Sequence, residues 1–216
     1  MKTQLQDGQT LLFIGDSITD CGRREAAHSP LGNGYVKMLS DLLTVREPAK
    51  KIQVINRGIG GNTVDDLRSR WQEDVLSHRP EWLSIKIGIN DLNRHLCRQE
   101  PLGLTPEMFS RIYRELLTLT KEKLPECRLL LISPFYISRD TLQDSYRARV
   151  LQLLPEYVQA VAELHREFQT RYVPLHEIFQ AQLEHRHPDD YCPEPVHPHE
   201  TGHLLMAEAV YCALAE

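Results

Sequence analysis

Leu11-Leu12-Phe13-Ile14-Gly15-Asp16-Ser17-Ile18-Thr19-Asp20-Cys21 is the stretch around which the chain is organised. Its four consecutive apolar residues predict a short strand buried on both faces. Gly15 ends the run and can take backbone angles closed to larger residues, so the chain can turn sharply there. Asp16-Ser17 suits the first turn of a helix, where unpaired backbone N–H groups favour negative charge. A strand that stops at glycine and presents a serine can hold a nucleophile at the edge of a sheet. Taken alone, the stretch reads as no more than a strand, a turn and a helix cap.

Outward from it, strand-like and helix-like runs alternate along the whole chain. Apolar residues recur at helical spacing over Gly34–Val45, and Ile52–Asn56 reads as a second strand. Thr63–His78 reads as a helix capped by Asn62 or Thr63 and stopped by Pro80. Trp82–Ile87 is a third strand. Pro106–Lys123 is a helix capped by Thr105 with proline in its first position. Arg128–Ile132 is a fourth strand. Pro155 fits a first turn, which predicts a helix over Pro155–Phe168 and a separate short one over Gln143–Leu153. Arg171–Leu175 is a weaker fifth strand, followed by helices over Glu177–His185 and Pro198–Ala215. The alternation predicts an α/β fold: a three-layer, doubly wound, parallel five-stranded sheet, with residues 1–216 as a single domain. A flavodoxin-like order, 2-1-3-4-5, would set the loops after strands 1, 2 and 3 side by side where ligands bind. Those loops are Gly15-Asp16-Ser17, Gly58-Ile59-Gly60-Gly61-Asn62 and Gly88-Ile89-Asn90-Asp91.

Composition narrows the function. The 216 residues carry a net charge of -5, which argues against nucleic acid as the main partner. No apolar run approaches a membrane span, and the first is too short for a signal peptide. Five cysteines without close pairs suit free thiols in a reducing cytoplasm.

A serine hydroxyl needs a base, usually histidine, and donors aimed at the oxyanion formed on attack. The Ser17 and Gly61 N–H groups and the Asn90 side-chain amide are candidate donors. His197, in Pro195-Val196-His197-Pro198, is the candidate base. Glu194, three residues before it, could bond its Nδ1 and fix the tautomer. Asp16 is expected to bond loop amides, since it points away if Ser17 points in. Asp91 takes a supporting place beside Asn90.

Gly15-Asp16-Ser17, Gly61, Gly88-x-Asn90-Asp91 and Val196-His197-Pro198 resemble, in order and spacing, the four blocks of the SGNH (GDSL-type) hydrolases. The likeness runs from residue 11 to residue 210. Within that family the chain is similar to intracellular bacterial acetylxylan esterases. The resemblance implies the SGNH hydrolase fold and places the nucleophile on Ser17, the base on His197 and the oxyanion hole on Gly61 and Asn90. It further implies a small acylated carbohydrate as substrate, assembly as a homo-oligomer, and neither cofactor nor metal. The family's acid is usually aspartate. Here Glu194 stands in its place, one methylene longer, and must fold back; Asp189 and Asp190 are the other candidates.

Rival readings remain. A thioesterase or lysophospholipase would need a longer acyl pocket. His185, His187, His197, His199 and His203 crowd the C-terminal fifth, and His199 with His203, four apart, could serve a zinc hydrolase. A carbohydrate-binding or scaffold protein of the same fold would need no nucleophile. RGIGGNT does not match the dinucleotide pattern G-x-G-x-x-G. Trp71 and Trp82 fall on periodic apolar positions and belong in the core, whereas Tyr35, Tyr136 and Tyr191 are placed to line an ester pocket.

Overall fold

Strand β1 (Thr10–Gly15) forms where the apolar run predicts it, and Leu11, Leu12, Phe13 and Ile14 have no exposed surface. A computed structural model describes residues 2–97, 104–140 and 142–215. The other strands are β2 (Gln53–Gly58), β3 (Trp82–Lys86), β4 (Arg128–Ile132) and β5 (Arg171–Val173). They pair in the order β2-β1-β3-β4-β5, all parallel. Gly15 lies level with Gly58 on one side and Lys86 on the other, so three strand ends stop on one line.

Helices follow the strands as α1 (Ser17–Asp20), α2 (Tyr35–Arg46), α3 (Val64–Asp74), α4 (Ile89–Leu96), α5 (Pro106–Lys123), α6 (Tyr146–Phe168), α7 (Leu175–Leu183) and α8 (Glu200–Ala215). Right-handed crossovers from a sheet of this order put helices on both faces. Accordingly α2 packs with α8, while α3 packs with α5 and α5 with α6. Trp71 and Trp82 are buried, and Trp71 Nε1 donates to Thr120 Oγ1 at 3.0 Å, joining α3 to α5.

Three local expectations fail. The break expected at Pro155 does not occur: α6 runs unbroken from Ser145, whose Oγ accepts from the Ala148 amide at 3.0 Å. Proline removes one ladder bond, but Val150 and Leu154 before it and Tyr157, Val161 and Leu164 after it are all buried on one continuous stripe. The helix starting at Thr63 gives way after Asp74 to a 3-10 turn at Leu76–His78. The loop expected after β3 is instead the start of α4, launched from Gly88 at φ 127°, where a larger residue would be strained.

Candidate active site

The Gly15-Asp16-Ser17 loop is fixed by close packing of backbone. A Cβ on Gly15 would stand 2.2 Å from the Lys86 carbonyl oxygen, so only glycine lets β1 and β3 meet there. Asp16 caps α1, its Oδ1 accepting from the Ile18 amide at 3.0 Å. Ser17 therefore opens the helix with its side chain toward the sheet edge. Its Oγ lies 2.9 Å from His197 Nε2, across 180 residues of chain.

His197 comes from the loop before α8. Its Nδ1 is 2.5 Å from Glu194 Oε1. The longer glutamate side chain folds back over its own loop, and its carboxylate also accepts from the Val196 and His197 amides, at 3.0 and 2.7 Å. The loop is tied down by the Ile137 amide, which donates to the Pro195 carbonyl at 2.8 Å, and by the His199 amide, which donates to the Tyr191 carbonyl at 3.1 Å. Asp189 and Asp190 are not brought to His197. Asp189 sits 3.5 Å from His187 with its side chain three-quarters exposed.

Loops 2 and 3 meet beside Ser17. The Ile59 amide donates to the Gly15 carbonyl at 3.1 Å, and Asn90 Nδ2 donates to the Asn62 carbonyl at 3.0 Å. An amide nitrogen has two hydrogens, so one remains on Asn90 for another acceptor. The neighbouring glycines differ. The Gly60 N–H donates to Asp20 Oδ2 at 3.2 Å. The Gly61 N–H, at a residue with φ 77°, donates to nothing among the described residues, and neither does the Ser17 N–H.

An open cavity of about 470 Å³ adjoins the serine, lined by Ser17, Asp20, Cys21, Gly22, Arg24, Glu25 and Gly60. Among the described residues no large apolar side chain lines it. The tyrosines expected here are elsewhere. Tyr35 is fully buried with its hydroxyl 3.0 Å from Thr19 Oγ1, and Tyr191 donates to Gln182 Oε1. Tyr136, in the segment after β4, is buried along with its neighbours Phe135 and Ile137. His199 and His203 do not face a common point. His203 accepts from the Tyr35 amide at Nδ1 and lies 3.3 Å from Cys21 Sγ through Nε2, while His199 Nε2 lies 2.9 Å from the Asp189 carbonyl. Burial pushes His203 down to about 4. Among the described residues no group of three His, Cys, Asp or Glu side chains could hold a metal ion.

A family model described as the GDSL-like lipase/acylhydrolase family matches residues 13–205. The chain belongs to this family. The GDSL hydrolase is 36% identical to the acetylxylan esterase of Geobacillus stearothermophilus over 212 residues, 95% of this chain and 94% of that one. A crystal structure of that esterase superposes with a TM-score of 0.86 at 35% identity, covering 100% of this chain and 97% of the other. Solved structures of the same esterase include catalytic mutants in which a serine, an aspartate or a histidine is replaced by alanine. A GDSL-like lipase of Parabacteroides merdae superposes with a TM-score of 0.90 at 33% identity, covering 99% of each chain. The fold is that of the SGNH hydrolases, and the protein is a carboxylic ester hydrolase.

Three supporting groups in this GDSL hydrolase escape the sequence reading or depart from it. Asp16 does bond an amide, that of Ile18, but its main partner is Lys86, whose Nζ lies 3.1 Å from Oδ2 with both side chains wholly buried. A lysine near the end of a mostly apolar central strand is the signal that could have revealed the pair. Arg70 donates to Asn62 Oδ1 at 2.8 Å, the Arg57 carbonyl at 2.8 Å and the Gly15 carbonyl at 3.2 Å, binding loops 1 and 2 together. Asp91 accepts from the Val64 amide at 3.0 Å, while its Oδ2 is buried without a partner among the described residues. Burial pushes the Asp91 carboxyl up to about 7, against the pull of the Val64 amide.

Proposed function

We propose that this GDSL hydrolase is a serine acetylesterase acting on acetylated carbohydrate, with xylo-oligosaccharides the leading candidates. One observation carries the mechanism: Ser17 Oγ, His197 and the Glu194 carboxylate form a continuous hydrogen-bonded chain of 2.9 and 2.5 Å. Ser17 Oγ attacks the ester carbonyl carbon and passes its proton to His197 Nε2. Glu194 holds the imidazole tautomer and stabilises the imidazolium. It stands three residues before the histidine, where this family usually places aspartate.

The oxyanion of the tetrahedral intermediate is received by the Ser17 N–H, the Gly61 N–H and the spare Asn90 hydrogen. Gly61 is preferred to Gly60 because the Gly60 N–H is already given to Asp20. Each such donor is worth about 3–4 kcal/mol to the transition state. Collapse expels the sugar hydroxyl with the proton from His197. Water, activated by the same histidine, then cleaves the acyl-Ser17 ester and releases acetate.

The cavity and the relatives support this substrate class. The space beside Ser17 is lined by small and charged residues, which suits a hydroxyl-rich alcohol and a short acyl group better than a long alkyl chain. The similar Geobacillus protein is an acetylxylan esterase. Labelling with a serine-directed phosphonate followed by mass spectrometry tests the mechanism, and modification is expected on Ser17. Acetate release from acetylated xylo-oligosaccharides, with p-nitrophenyl acetate turned over faster than the octanoate, tests the substrate. Absence of an adduct would sink the nucleophile assignment, and a preference for octanoate would favour a thioesterase or lysophospholipase.

A further inference from the structure

Lys86 takes no part in the acyl transfer set out above, yet it lies directly beneath it. It ends β3, the middle strand of the sheet, and its side chain and that of Asp16 have no exposed surface. Its Nζ lies 3.1 Å from Asp16 Oδ2 and 3.4 Å from Oδ1, over the face of the Phe135 ring at 5.0 Å. Among the described residues it donates to nothing else. A buried ammonium is unfavourable without a counter-charge, and a buried carboxylate likewise. Each of these two groups is therefore the condition for the other's charge.

Asp16 in turn controls the nucleophile's backbone. Its Oδ1 accepts from the Ile18 amide, and its carbonyl oxygen accepts from the Asp20 amide at 2.9 Å. These bonds grip both sides of the peptide joining Asp16 to Ser17, and the N–H of that peptide is the Ser17 donor to the oxyanion. An uncompensated carboxylate at this position would oppose the negative charge that forms on attack.

We infer that Lys86 is a positioning residue for the esterase reaction: its buried ion pair with Asp16 fixes the peptide carrying the Ser17 N–H and neutralises the carboxylate behind the oxyanion. The inference rests on the reading of Ser17 as nucleophile. It separates Lys86 from a purely structural lysine, because its effect must run through Asp16.

The test compares wild type, Lys86→Met, Asp16→Asn and the double variant Lys86→Met/Asp16→Asn. Turnover of p-nitrophenyl acetate is expressed per phosphonate-titrated site, so loss of folded protein does not count as loss of rate. Lys86→Met is expected to lower kcat by about thirtyfold or more with KM within about threefold. In the Asp16→Asn background, where the carboxylate behind the oxyanion is gone, the same change is expected to cost less than about threefold. If Lys86→Met alone does not fold, the double variant against Asp16→Asn carries the comparison, since both lack the unpaired carboxylate. A double variant more than about tenfold slower than Asp16→Asn overturns the inference, as does a titrated Lys86→Met enzyme within about threefold of wild type. Failure of the phosphonate to label Ser17 in the wild type would instead overturn the nucleophile assignment.

Discussion

Asp16, the residue before Ser17, has a wholly buried side chain, whereas the side chains of His197 and Glu194 are 56% and 45% exposed. The two halves of the candidate site are thus built differently. Ser17 takes its place from the register of β1 against β3 and from the glycine that lets their backbones touch. His197 takes its place from a loop outside the sheet, whose own glutamate bonds both the imidazole and the loop amides. On the Ser17 side the groups beneath the serine are part of the core, so changing them is expected to alter folding as well as rate. On the His197 side the scaffold is local and exposed, so changes there are expected to alter rate alone.

The comparison can be broken at several points. The largest effect is expected from Ser17→Ala, which should lower kcat on p-nitrophenyl acetate by about 10⁴ or more. Its melting temperature should stay near wild type, because this substitution leaves the Asp16 cap and the Gly15 contact intact. Glu194→Ala should follow, with a loss of about 10²–10³ in kcat and a melting temperature within about 2 °C of wild type. A large fall in melting temperature would show that the base loop is as much a part of the core as the nucleophile loop.

Beneath the site, Asp91 gives a pH-dependent effect. Its carboxyl is raised from an ordinary 3.8 to about 7, first by burial, so the folded protein holds this proton more tightly than the unfolded chain. Its contribution is therefore most favourable below about pH 4 and is lost as pH rises through about 7. The full shift amounts to something on the order of 4 kcal/mol. Asp91→Asn keeps an acceptor for the Val64 amide and should be more stable than wild type at pH 8 but not at pH 4, as urea denaturation at the two pH values would show. Gly15→Ala should cost about 2–3 kcal/mol through the clash with the Lys86 carbonyl, lowering the melting temperature by roughly 5–10 °C. The smallest effect belongs to Asp189→Ala, within about twofold of wild-type kcat. A loss there as large as that of Glu194→Ala would move the orienting role.

Much of this layout is legible in the chain because short-range chemistry dictates it. Apolar runs closed by Gly15, Gly58 and Gly88 announce the three strand ends, and right-handed crossovers leave few ways to order them. Glu194 is legible because three residues of loop bring its carboxylate back to His197. The glutamate's double duty to the Val196 and His197 amides is not, since it depends on how the longer side chain folds. Pro155 misleads because one lost hydrogen bond looks like a helix end until the buried stripe from Val150 to Leu164 is seen to continue through it.

The sequence by itself determined the strand–helix alternation, the three glycine-led loops and the residue types able to carry acyl transfer, because backbone propensity and side-chain chemistry are local. Tertiary structure alone decided which of those residues meet. It brought Ser17 within reach of a histidine 180 positions away, gave the Gly60 N–H to Asp20 while leaving that of Gly61 without a partner among the described residues, and set a lysine of the central strand under Ser17. Such pairings follow from strand register and from burial. Burial makes an unpartnered charge costly enough that its partner must come from wherever the fold can supply one.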